Sequence, residues 1–280
     1  MLYLALAVVC SVGIAVTFKY ADRAGMPTFA LFAVNYLIAT GSATLASGGP
    51  GAVVFSTTVV SFGMLLGTLF VWSFFLLMLT VRKLGMVIPV TLMRLSVVLP
   101  VLGSILIFAE QPTLLQSAGI VLAFAVLPLA SREKLTRATL RPLLKGGLGW
   151  ALVLFISYGV TDFLFKVQKE MLPVRDPYDL LVVVFGTALA ITLTAAVVRR
   201  ERVTARVLGL GIVLGLLNLY STYFFIRALG ELPGIVVYPA NGIGIIVLSS
   251  LVGVLLWKEP LPARNVAALL LAAVALVLLA

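Results

Sequence analysis

The sequence predicts an all-α membrane protein of ten transmembrane helices, arranged as two inverted five-helix repeats. Three observations lead there. Of 280 residues, 62% are hydrophobic and 11% charged, with a mean hydropathy of +1.20; soluble domains are about half apolar and a quarter charged. The apolar residues gather into ten segments, each near the roughly 20 residues that cross about 30 Å of hydrocarbon. The two halves of the chain also repeat each other in order. Inside a bilayer every backbone polar group must be paired within its segment, so the segments must be helices.

The first segment, 1–19, reads "MLYLALAVVCSVGIAVTFK". It lacks a basic start and a small-residue cleavage pattern, so a span is expected rather than a removable signal. The second runs over 28–47. The third, 58–81, carries Gly63-x-x-x-Gly67, the spacing of close helix packing, and leads into Arg82-Lys83-Leu84-Gly85. The fourth, 87–108, holds Pro89, Arg94 and Pro100 and ends near Glu110; the fifth covers 113–130. Residues 131–147, "SREKLTRATLRPLLKGG", form a basic linker between a first domain at 1–130 and a second at 148–280. The sixth segment, 148–169, contains Asp162 and Lys166, and the seventh is 178–198. The eighth, 206–228, carries Gly211-x-x-x-Gly215 and the polar run "NLYSTYFFIR". The ninth, 233–256, opens "GIVVYPANG", and the tenth is 262–280.

The repeat rests on charged markers. Phe18-Lys19 matches Phe165-Lys166, Arg82 matches Arg227 ahead of a Leu-Gly pair, and Glu110 matches Glu259, at offsets of 145 to 149 residues. Five spans per half is an odd number, so the copies enter the membrane in opposite senses, the usual architecture of secondary transporters. With these residues the chain resembles the EamA-type branch of the drug/metabolite transporter superfamily. The shared features are a glycine ahead of the Lys that ends the first helix, an R-x-L-G after the third, and a proline-bearing fourth helix ending near Glu, in both halves. The resemblance implies a ten-helix fold, secondary transport by alternating access, and a central cavity lined by the first, third and fourth helix of each half. Many relatives have an arginine early in the second helix; here Asn35 and Phe185-Gly186 stand there, so no role of that arginine is carried over.

Positive charge bears on orientation. Of 20 Lys and Arg, fifteen fall in odd-numbered loops and four in even ones, which places the odd loops in the cytoplasm and both termini outside. The resemblance implies both termini cytoplasmic. A cell (inner) membrane location is expected, with partners limited to a small-molecule substrate and the lipid bilayer, as monomer or homodimer. The net charge of +10 has no basic, aromatic-interleaved stripe behind it, so no nucleic-acid partner is expected. Histidine is absent and Cys10 is alone. No cofactor, metal site or disulfide is therefore expected, and the chain is read as no enzyme.

Ionisable residues inside spans are costly and raise a functional hypothesis by default. Arg94 and Asp162 are the two well inside. Arg94 has three readings: a bidentate partner for an anionic substrate group, an ion pair with Asp162, or snorkelling to an interface. About 12 Å of helix to its nearer end weighs against the third. Asp162 pairs locally with Lys166 at i+4, or with Arg94, or carries a proton coupled to transport. Trp72, Ser73, Asn218, Tyr220, Tyr238 and Asn241 join Arg94 as substrate-binding candidates, being polar or aromatic groups at mid-span or beside Pro239. Lys19 is placed at a cavity mouth or an interface, and Lys166 likewise. Glu110 and Glu259 are read as local caps, paired with Lys258 or Arg264. The function expected is secondary transport of a small polar or amphipathic metabolite, possibly bearing an anionic group. The alternatives are a non-transporting membrane partner subunit and a membrane-embedded lipid enzyme.

Overall fold

A computed structural model of the chain describes residues 1–85, 87–129, 141, 143–172, 176–258 and 263–279. Most of the linker 131–147 lies outside the described residues, as does Glu259. Among the described residues there are eleven α-helices and no strand. They are α1 (Leu2–Arg23), α2 (Thr28–Ala46), α3 (Thr57–Leu84), α4 (Val87–Leu95), α5 (Val98–Leu106), α6 (Leu114–Leu129), α7 (Leu148–Met171), α8 (Pro177–Val198), α9 (Ala205–Glu231), α10 (Gly234–Trp257) and α11 (Ala263–Leu279). A wide π-type turn, Leu143–Gly147, leads into α7.

Eight helical stretches are long and apolar enough to cross a membrane: α1, α2, α3, the joined stretch Ile88–Leu106, and α7 to α10. The chain is a helical, multi-pass membrane protein. Helices α6 and α11 have 16 and 17 residues, and at 1.5 Å per residue they reach about 24 to 26 Å.

The fourth segment, whose Pro89 and Pro100 allow a local opening, is opened near its middle. It is two nine-residue helices, α4 and α5, separated at Ser96-Val97. Pro100 has no N–H to give the Ser96 carbonyl at the α-helical spacing. That carbonyl accepts instead from Leu99 N at 2.9 Å, a tighter i→i+3 bond. The Ser96 hydroxyl donates back to Met93 O at 2.7 Å. Pro89 lies in the first turn of α4, where a missing N–H costs little. Pro239 stays inside α10.

The described chain divides into two compact units, Met1–Val71 with Gln168–Ala228, and Trp72–Val167 with Leu229–Ala280. Both draw on both halves of the sequence. In the first unit, α2 packs along α8. Without a hydrophobic driving force in lipid, such contacts rest on close backbone approach over small residues. A Cβ on Gly215 would lie 2.5 Å from Asn35 O, and one on Gly211 2.5 Å from Val34. Gly67 meets Val184 O in the same way, with Gly63 against Val183. In the second unit, α6 packs on α11, and α10 on α5, α6 and α11. Gly159 of α7 sits against Ser96 O and Leu99, so the break between α4 and α5 is met by a bare backbone.

Candidate functional site

The densest polar cluster of the second unit is built around Glu110. Ala109 has φ 53°, a left-handed conformation unfavourable to a residue with a Cβ. The turn lets Glu110 N donate to Ser104 O at 3.0 Å and sends the side chain to the start of α10. There Gly234 N and Ile235 N donate to its two carboxylate oxygens, each at 2.9 Å. These N–H groups are among the four that no helix satisfies internally, and a carboxylate also suits the positive end of the helix dipole. Lys166 of α7 closes the cluster, its Nζ 2.6 Å from Glu110 Oε1. The Phe108 ring lies 5.8 Å from the same ammonium. The ion pair is almost dry, with side-chain exposures of 3% for Lys166 and 14% for Glu110. Burial alone would raise the Glu110 carboxyl; the bond from Lys166, the two backbone N–H groups and the Lys166 charge outweigh it, holding the carboxyl below its ordinary value. A Cβ on Gly234 would collide with the Ser104 hydroxyl, so a larger residue there requires that side chain to turn. That hydroxyl is buried and has no hydrogen-bond partner.

One turn further along α10, the Tyr238 hydroxyl donates to Asp162 O of α7 at 2.8 Å. Tyr238 is buried. Asp162 therefore ties α7 to α10 through its backbone carbonyl. Ser73 is buried against Thr161 at 3.3 Å. The single Thr161 hydroxyl proton goes to Ser157 O, so Ser73 is the donor. Asn241 Oδ1 is buried without a partner. Arg94, half-buried, stands in the last turn of α4 beside the break.

The first unit has its own polar seam. Asn218 Nδ2 donates to Asn35 Oδ1 at 3.4 Å, and Ser11 and Ser221 hydroxyls meet at 2.8 Å. Asn35 is fully buried and its Nδ2 has no partner. An aromatic cluster surrounds the end of α9: Tyr178 stacks on Tyr223 at 4.4 Å and 8°, and Tyr220 on Phe224 at 5.9 Å.

The sequence-derived candidates thus fall in both units. Arg94, Ser73, Tyr238, Asn241, Asp162 and Lys166 belong to the second, with Trp72 at its boundary; Lys19, Asn218 and Tyr220 belong to the first. Trp72 is 47% exposed, packed beside Phe75, and Tyr220 is 38% exposed. Lys19 is half-buried near the end of α1. Neither Arg94 nor Asp162 joins a salt bridge among the described residues. The expected Arg94–Asp162 pair is therefore not formed, nor is the local Asp162–Lys166 pair. Lys166 is spent on Glu110 instead, and Glu110 reaches α7 and α10 rather than Lys258 or Arg264. Lys166 is buried against Glu110 rather than exposed at a helix end, and α7 continues past it to Met171. Ser104, Asn35 and Ser11 were not singled out as site residues by sequence. Each is a polar residue within an apolar segment, which is the signal that would have found them.

Fold and site describe a multi-pass helical membrane protein with a buried, capped ion pair and an arginine that joins no salt bridge among the described residues. No protein-family model matches the chain. An uncharacterized protein of Haemophilus influenzae is 30% identical over 267 residues, covering 92% of this chain and 90% of that one. The chain belongs to the family of that protein. A solved crystal structure 14% identical to it shares the fold, with a TM-score of 0.78 over 99% of this chain and 94% of the other.

Proposed function

We propose that the protein is a ten-helix, alternating-access secondary transporter of a small polar or amphipathic metabolite bearing an anionic group, resident in the cell (inner) membrane. The observation that carries this reading is the break between α4 and α5 with Arg94 beside it. Discontinuous helices are how transporters place substrate and ion sites at mid-membrane. Irregular backbone at that depth is tolerated only where protein buries it or a cavity receives it. Arg94 joins no salt bridge among the described residues, and its guanidinium suits bidentate binding of an anionic substrate group. Asn241, with an orphaned amide oxygen, supplies a second open polar group in the same unit.

The inverted repeat has support of its own. Helices that correspond in the two halves are direct neighbours: α2 with α8, and α6 with α11. The matched glycine pairs do matched work, α3 against α8 and α9 against α2. The residues before the two matched glutamates, Ala109 and Lys258, both have left-handed φ, 53° and 51°. Two similar halves of opposite sense have two arrangements of comparable energy, which differential ligand binding can shift.

The test is a thermal-stability screen of the purified chain across amino acids, organic acids, sugar phosphates and quaternary amines. An anionic compound should stabilise the wild type and should neither stabilise Arg94→Ala nor be taken up by it in proteoliposomes. Undiminished uptake by a well-folded Arg94→Ala protein would remove Arg94 from the site.

A further inference from the structure

We propose that Glu110 is a proton-binding coupling site: its carboxylate is charged while it holds the N-terminus of α10 against Lys166, and takes a proton from solvent when that N-terminus withdraws. The proposal rests on the transport reading and adds to it the coupling ion and its residue.

The geometry sets the two states. In the structure the charge has three partners, Lys166 Nζ, Gly234 N and Ile235 N. All three belong to α7 or α10, none to the loop that carries Glu110. Withdrawal of α10 removes two of the three donors at once and leaves Lys166 as the remaining one. With two of the three donors that favour its charged form gone, the carboxyl binds a proton more readily. The bond formed is O–H on Glu110, with the proton drawn from solvent; Lys166 keeps its own. The converse follows by reciprocity: protonating Glu110 weakens its hold on Gly234 and Ile235 and releases α10.

A second, independent feature marks the same place as one with two arrangements. The Ser104 hydroxyl, packed on Gly234, is fully buried and unpartnered. Such a group costs about 1–3 kcal/mol, so the present packing of the α10 start on Ser104 leaves a polar group uncompensated among the described residues. The ionisable groups around Glu110 among the described residues are Lys166 and Asp162 on α7 and Tyr238 on α10. Tyr238 is tied to the Asp162 carbonyl, so movement of α10 draws on this link as well.

The test needs no substrate. In a Cys10→Ser background, nitroxide labels at Leu106→Cys and Glu231→Cys, both exposed, report the distance between the α5 end and the α9–α10 corner. Acidification of the otherwise native chain in nanodiscs should lengthen that distance. Glu110→Gln should raise the released population about fivefold at neutral pH, the equivalent of the roughly 1 kcal/mol of a lost helix cap, and should abolish the pH response. Lys166→Met should move the midpoint toward neutral pH, a displacement that a merely structural role does not produce. A distance indifferent to pH in the folded chain overturns the proposal, as does a wild-type pH response in Glu110→Gln. So does a release that occurs without proton uptake, the outcome if Lys166 hands its own proton to Glu110. In proteoliposomes, with a compound found by the stability screen, uptake driven by a proton gradient in wild type and not in Glu110→Gln supports coupling. Uptake indifferent to the gradient overturns coupling and leaves transport standing. A pH response in a chain that takes up nothing overturns transport and supports the switch.

Discussion

Breaking the Glu110–Lys166 pair from each side, and then from both, isolates what the cluster contributes. Lys166→Met leaves a carboxylate at 14% exposure with two N–H donors and no counter-ion. Removing one member of a buried pair costs about 3–5 kcal/mol. Glu110→Gln leaves Lys166 at 3% exposure without its carboxylate. Its amide oxygen keeps at most part of the cap on α10, a further loss of about 1 kcal/mol. The double variant removes both charges, so neither is stranded. It should be more stable than the two single losses added together, with a coupling of about 2–3 kcal/mol. Equilibrium unfolding in mixed micelles reads all four proteins. The pH dependence has a fixed sign. The folded carboxyl lies below its ordinary value, so its contribution is fully present above that ordinary value and is lost as pH falls through the folded one. Wild type should therefore lose stability in acid, and Glu110→Gln should lack that component. Strictly additive single losses, or a Lys166→Met protein as stable as wild type, would refute the reasoning.

Two further predictions concern the first unit. Gly215→Ala and Gly67→Ala each drive a methyl group into a backbone carbonyl, Asn35 O or Val184 O. A carbonyl cannot rotate aside as a flexible side chain does, so overpacking should cost about 1–3 kcal/mol in thermal unfolding. Gly209→Ala, with nothing within 4 Å, is the control and should gain up to about 1 kcal/mol of helix propensity. Asp176 caps α8 through Tyr178 N at 2.9 Å. Asp176→Ala should cost about 1 kcal/mol, seen as faster amide exchange confined to the first turn of α8.

How far the sequence could be read depended on the range of each interaction. The positions of the helices were legible, because the pairing of backbone groups in lipid is local. The observed helices match the ten apolar segments to within a few residues, apart from the break between α4 and α5. Even that break had its cause in view, Pro100, although nothing local said whether Pro100 or Pro239 would open its helix. The glycine pairs were legible as packing faces, since their spacing puts both glycines of a pair on one side of a helix. The "FK" pair points to a helix end at Lys166, whereas α7 runs five residues further and the lysine is buried against Glu110. Glu110 was assigned to Lys258 or Arg264, cations near its matched copy. Its partners are 56 and 124 residues away instead.

The sequence by itself therefore determined that this is a helical membrane protein, where its helices run, and which residues are expensive in a bilayer. Those properties follow from hydrophobic transfer and backbone pairing, which each segment settles alone. Only the tertiary structure decided how the expensive residues are compensated. It gave Lys166 to Glu110, Glu110 to the start of α10, and the Asp162 carbonyl to Tyr238. Ion pairs and caps join groups distant in the chain. Which cation meets which carboxylate is set by how the helices stack, not by the spacing of charges along the chain.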